Sequence, residues 1–174
     1  QWACLYLTYS ELNRNKTLNF ISGTLYLAIP LIALATWFLQ NKSLNIEYVL
    51  FYFITIWLYD SMAYAVGKAI GRTPVFPKVS PKKTVEGTVG GAVVTVVAMS
   101  LLNVYWLELP VQAYAVSAVI IFFAIFGDFV ESYMKRKLGV KDSGDILPGH
   151  GGVLDRIDSI YLSALPYLVI LFLL

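Results

Sequence analysis

Five stretches of this sequence run for roughly a membrane's width with almost no charge, and no other feature constrains the chain as much. Thr17–Asn41, Gly87–Leu107, Leu109–Gly127 and Ser159–Leu174 contain no Asp, Glu, Lys or Arg, and Tyr48–Gly67 contains only Asp60. A helix needs about 20 mainly apolar residues to cross a bilayer, a length that each stretch approaches or exceeds. Soluble domains carry about 25% charged residues. This chain carries 14%, against 58% hydrophobic residues. The expected fold is therefore all-α, a polytopic transmembrane helix bundle with about five spanning helices. These fall near 18–40, 46–67, 88–108, 111–135 and 155–174, with polar loops gathered on one side.

Charge placement gives the topology. Arg14 and Lys16 precede the first helix, and Lys68, Arg72, Lys78, Lys82 and Lys83 lie between or at the ends of the second and third. Lys135, Arg136, Lys137, Lys141 and Arg156 do the same for the fourth and fifth. Of the thirteen basic residues only Lys42 falls on the opposite side. Such alternation is the positive-inside pattern, which puts the basic loops in the cytoplasm. The chain opens on Gln1 and the apolar "WACLYL", so residues 1–174 are expected to form one transmembrane domain lacking the N-terminal helices of a longer protein. No secretory signal pattern is present. Cys4 is the single cysteine, which excludes an internal disulfide framework and a multi-cysteine zinc site.

Three stretches carry chemistry. In "YDSMAYAVGKAIGR", Asp60 sits inside an apolar helix with Tyr64 and Lys68 one and two turns on. A carboxylate at membrane depth costs at least ~2.5 kcal/mol, so it normally faces a cavity or a partner. A structural ion pair with a basic neighbour is the simpler alternative. In "KVSPKKTVEGTVGG", lysines flank Ser80 and Pro81 ahead of a helix start, where exposed amides suit phosphate. The run to Gly-Lys-Ser/Thr of a Walker A loop is missing, and a basic loop touching lipid headgroups fits equally well.

The third stretch, residues 127–159, holds two acidic pairs, Asp128 with Glu131 and Asp155 with Asp158. Three-residue spacing puts each pair on one helix face. The helix dipole explains acids in a first turn, as for Asp155 and Asp158. It disfavours Asp128 and Glu131, which lie near a helix C-terminus. Two carboxylate pairs at one membrane surface resemble ligands for a hard cation such as Mg²⁺, which completes its shell with water and substrate phosphates. The lone His150, among Gly149, Gly151 and Gly152, reads better as a loop-fixing or phosphate-contacting group than as a general base.

The segment "SYMKRKLGVKDSGDILPGHGGVLDRID", Ser132–Asp158, resembles the signature of the phosphatidate cytidylyltransferases, also called CDP-diacylglycerol synthases. Ser132, Lys135, Arg136, Lys141, Asp142, Pro148, His150, Gly151, Gly152, Asp155, Arg156 and Asp158 stand at that family's spacing. "SPKKTVEGTVGG" and "DSMAY" resemble two further family stretches, with Val85 and Thr88 where bulkier aromatics are common and Met62 where a small residue is usual. The resemblance runs from Asp60 to the end.

It implies a catalytic membrane domain that joins CTP to phosphatidic acid, giving CDP-diacylglycerol and pyrophosphate for phospholipid synthesis. It implies Asp128 and Asp155 as the principal Mg²⁺ ligands, Glu131 and Asp158 as supporting groups, and a second cation such as K⁺. Lys82, Lys83, Lys135, Arg136 and Arg156 become candidates for phosphate contacts. Asp60, Ser80, Ser132, Lys141, Asp142, His150, Gly151 and Gly152 become pocket residues. A homodimer in the bacterial inner membrane, with its site facing the cytoplasm and no nucleic-acid partner, also follows. The rivals are a CTP-dependent enzyme acting on another lipid phosphate or a polyprenol, a cation-coupled transporter, and a noncatalytic lipid-binding scaffold. The transporter reading lacks the internal repeat common in that class.

Overall fold

The computed structural model describes residues 28–30, 32–33, 35–37, 46–77, 79–137 and 158–173. The chain divides into two compact units, Gln1–Ser43 and Leu44–Leu174. In the first, the described residues belong to a short apolar helix, α1, Ala28–Trp37. The second unit contains α2 (Ile46–Ile70), β1 (Pro74–Phe76), β2 (Ser80–Thr84), α3 (Val85–Leu102), α4 (Ala113–Lys137) and α5 (Asp158–Leu173).

Three helices are long and apolar enough to cross a membrane: α2, α3 together with its extension to Leu107, and α4. At 1.5 Å per residue the 25 residues of α2 reach about 37 Å, more than the roughly 30 Å of hydrocarbon. α5 is apolar but shorter. Trp57, Val93, Val97, Leu101, Phe122, Val169 and Phe172 are exposed, which suits helices solvated by lipid rather than water. The protein is an integral membrane protein built from helices, as its uncharged runs lead one to expect.

Small residues bring α2 and α3 together. A Cβ placed on Gly91 would lie 2.6 Å from the Ala63 backbone, and one on Gly87 would lie 2.7 Å from the Ala63 carbonyl. No side chain fits at either position, so the two backbones nearly touch. Close approach through small residues is the usual means of helix association in lipid, where the hydrophobic effect gives no drive.

α2 meets α5 through hydroxyl groups. The Tyr52 hydroxyl donates to the Ile160 carbonyl at 2.6 Å and lies 2.8 Å from the Ser163 hydroxyl. The Tyr167 hydroxyl donates to the Tyr48 carbonyl at 2.7 Å, and its ring stacks on Tyr52 with centroids 5.0 Å apart. The tyrosines thus fill a buried space while their polar tips are satisfied.

At the far end of α3 the helix widens into a π turn, Asn103–Leu107, and stops at Glu108, whose φ of 51° is left-handed. The buried Asn103 side chain donates to the Leu109 carbonyl at 3.1 Å and accepts from the Leu109 amide at 3.0 Å. This bracket closes the tight α3–α4 connection.

Two features differ from the sequence expectation. α3 begins at Val85 rather than 88, because Thr84 caps it and its hydroxyl accepts from the Gly87 amide at 3.2 Å. The basic segment before it forms an antiparallel hairpin instead of an open loop.

Candidate active site

The hairpin sets the site's chemistry. Pro74 pairs with Thr84 and Phe76 with Ser80, so β2 uses three residues, Pro81, Lys82 and Lys83, against Val75 alone. Such a bulge re-aims side chains that strict alternation would send to opposite faces. Pro81 is tolerated there because a bulge does not need its missing amide. As a result the neighbouring lysines Lys82 and Lys83 line one cavity.

That cavity has a volume of about 500 Å³ and lies between α2, the hairpin, the start of α3, α4 and the first turn of α5. Along α2 it runs from Tyr59 and Asp60 past Tyr64 to Lys68. The eight residue steps from Asp60 to Lys68 span ~12 Å of helix. One wall is therefore acidic at its inner end and basic at its outer end. Asp128 of α4 faces the same space and is ion-paired to Lys83. The carboxylate side is 18% exposed and the lysine 47%, so the acid lies deeper. The Ser132 hydroxyl is at 3.5 Å from Asp128 Oδ1.

The structure brings Asp60, Ser80, Lys82, Lys83 and Asp128 together around the cavity. Glu131 is buried and ion-paired to Lys135 at 2.6 Å, one turn along α4. The Arg136 guanidinium donates through Nε to the Val79 carbonyl in the hairpin turn at 3.1 Å. Asp158 is the first residue of α5. Lys141, Asp142, His150, Gly151, Gly152, Asp155 and Arg156 lie outside the described residues. Among the described residues no three His, Cys, Asp or Glu side chains converge. Mg²⁺ asks for only one or two carboxylates when substrate phosphates complete its shell, and Asp60 and Asp128 share this cavity with the lysines. The donor set fits such an ion.

Four hydroxyl-bearing residues of the cavity were not foreseen as site residues. Tyr59 of α2 and Thr88 of α3 line it from facing helices. Thr84 caps α3, and the buried Ser159 places the first turn of α5 at the cavity wall. All four lie within the three chemistry-bearing stretches of the sequence, where the charged residues drew the site assignments.

Apolar spanning helices and a polar cavity lined by lysines and carboxylates define an integral membrane protein with a charged site. The chain belongs to the cytidylyltransferase family, whose family model matches residues 1–174. It is 37% identical over 169 residues to a phosphatidate cytidylyltransferase of Staphylococcus saprophyticus, covering 95% of this chain and 64% of that protein. It is 38% identical to the phosphatidate cytidylyltransferase of Bacillus subtilis, covering 96% of this chain and 64% of the relative. The chain thus spans a little under two thirds of the length of these relatives. A solved structure described as an intramembrane enzyme for archaeal membrane lipids biosynthesis is 28% identical. It superposes with a TM-score of 0.48 over 68% of this chain and 76% of that one.

Proposed function

We propose that this chain is the catalytic membrane portion of a phosphatidate cytidylyltransferase, which converts CTP and phosphatidic acid into CDP-diacylglycerol and pyrophosphate. The observation that carries this reading is the cavity itself. It gathers Lys68, Lys82 and Lys83 with Asp60 and Asp128 where spanning helices meet a polar hairpin. The positive-inside pattern supports a cytoplasm-facing site in a bacterial plasma membrane, and the family resemblance suggests a homodimer.

In the reaction a phosphate oxygen of phosphatidate attacks the α-phosphorus of CTP. The bond from that phosphorus to the bridging oxygen breaks, and pyrophosphate leaves with the electron pair. The lipid phosphate is already anionic near neutral pH, so no general base is needed. The task left to the protein is to align two anions and neutralise them. Lys82 and Lys83 are held side by side by the bulge to meet triphosphate oxygens, and Lys68 lies at the outer end of the same wall. Asp128, with Asp155 three residues before α5 in the sequence, would hold Mg²⁺, and Glu131 and Asp158 would support them. When bound, the ion withdraws charge from the triphosphate oxygens and from the departing pyrophosphate.

The test is turnover by the full-length protein in lipid nanodiscs supplied with labelled CTP, phosphatidate and Mg²⁺. Lipid-soluble CDP-diacylglycerol and pyrophosphate should form in equal amounts, and chelation of Mg²⁺ should stop both reversibly. Asp128→Asn should lower the rate by ~10²-fold or more, as expected for loss of a charge-stabilising group. Near-normal turnover in that variant would sink the site assignment.

A further inference from the structure

A two-stranded hairpin this short is marginal by itself, yet β2 carries four of the residues that line the cavity. Ser80, Lys82, Lys83 and Thr84 all stand on it, and most of β2 is exposed. Something outside the hairpin must hold it. The structure shows fastenings at both of its ends.

At the root, Glu86 in the first turn of α3 reaches back across the hairpin base. Its Oε2 accepts from the Arg72 amide at 3.0 Å and the Thr73 amide at 3.1 Å. Its Oε1 accepts from the Thr73 hydroxyl at 2.9 Å. The Val85 amide donates to the Thr73 carbonyl at 2.8 Å beside them. At the tip, Arg136 Nε donates to the Val79 carbonyl, and the Phe76 ring lies on Phe129 with centroids 4.2 Å apart. Phe129 and Arg136 are seven residues apart on α4 and so share a face. The same helix that presents Asp128 thus grips the turn of the hairpin that presents Lys83.

We infer that Glu86 and Arg136 are positioning residues. They clamp the root and the tip of the 74–84 hairpin so that Lys83 is held against Asp128. Arg136 then acts through the Val79 carbonyl, a role different from the direct phosphate contact its place in the signature suggests. The geometry of the clamp stands by itself, and its effect on turnover rests on the cytidylyltransferase reading above.

The experiment has two arms on the full-length protein. In the first, Lys83→Cys and Asp128→Cys in a Cys4→Ser background are bridged with a short bis-methanethiosulfonate, and the bridging rate is followed on gels. Glu86→Ala and Arg136→Met should each slow bridging about fivefold or more, the coupling expected within one hydrogen-bond network. Glu86→Gln keeps an acceptor oxygen for the two amides and should restore most of the rate. In the second arm, Glu86→Ala should lower kcat/KM for CTP by a similar factor with Lys83 present. It should have little further effect in a Lys83→Ala background. Arg136→Met serves if Glu86→Ala fails to fold. Unchanged bridging in both clamp variants would overturn the inference, as would equal losses with and without Lys83. A wild-type protein that bridges normally but makes no CDP-diacylglycerol would instead defeat the functional reading while leaving the clamp intact.

Discussion

Lys83 of the bulged strand β2 and Asp128 of α4 form an ion pair across the candidate active site, with the carboxylate the more buried partner. Because the lysine is about half exposed, the pair should contribute only ~0–1 kcal/mol to stability. Its charge matters more to the ligand than to the fold. Lys83→Ala should therefore leave the unfolding temperature in detergent almost unchanged while lowering kcat/KM for CTP by roughly 10²-fold. Steady-state kinetics beside a thermal melt would check both halves, and a large fall in stability with unchanged kinetics would contradict the assignment.

The α2–α3 contact predicts different responses at adjacent glycines. At Gly91 an added Cβ would meet the Ala63 Cα and N at 2.6 Å, backbone atoms that can move only if the helices part. At Gly90 the nearest atom, at 2.7 Å, is a methyl of Val66, a side-chain atom that can give way more readily than backbone. Gly91→Ala should cost about 1–3 kcal/mol, the usual range for overpacking, and Gly90→Ala distinctly less. Reversible unfolding in mixed micelles should rank the two variants in that order. Gly91→Ala should also reduce turnover, because Ala63 and Gly67 line the cavity.

The connection between α3 and α4 depends on Asn103 and a left-handed Glu108. Asn103→Ala would leave the Leu109 amide without its partner, at a cost of about 1–3 kcal/mol, while the Leu109 carbonyl keeps its bond from the Val111 amide at 2.8 Å. Glu108→Gly should move stability the other way by less than ~1 kcal/mol, since glycine adopts positive φ without a Cβ penalty but loses more chain entropy. Both sites lie at the end of α3 away from Lys83. Turnover per folded molecule should stay near the wild-type value while the melting temperatures diverge.

Much of this architecture is legible in the sequence because charge is expensive in lipid. The helices expected at 46–67, 88–108 and 111–135 end within three residues of α2, of α3 with its π extension to Leu107, and of α4. The same cost singles out Asp60 and Asp128, and the lysines stand out by contrast with their apolar surroundings. The hairpin is not legible. "PVF" and "SPKKT" are too short to display alternation, and each contains a proline that argues against a strand until the bulge is known. Tyr59, Thr88 and Ser159 escape notice because neutral hydroxyls are common in membrane helices and carry little penalty there. The clamp is hidden for another reason. Arg136 and the Val79 carbonyl are 57 positions apart, and no local pattern announces a backbone partner at that distance. Glu131 and Lys135 are the opposite case, since their four-residue spacing already suggests the pair that forms.

The last prediction concerns how α5 is held at the cavity. Tyr52 of α2 bonds to the Ile160 carbonyl and lies against the Ser163 hydroxyl, which in turn donates to the Ser159 carbonyl at 2.6 Å. Ser159 is a cavity residue, so this chain of bonds links the α2 core to the first turn of α5. Tyr52→Phe keeps the stacked ring and removes only the hydroxyl, and should cost ~0.5–1.5 kcal/mol. Ser163→Ala should cost a similar amount, and the double variant should cost clearly less than the sum, because both changes break one network. If the network serves the site, Tyr52→Phe should also lower kcat/KM by several-fold, and Tyr167→Phe, whose hydroxyl bonds the distant Tyr48 carbonyl, should not. Equal kinetic losses in the two tyrosine variants would show that the hydroxyls act only by holding the helices together.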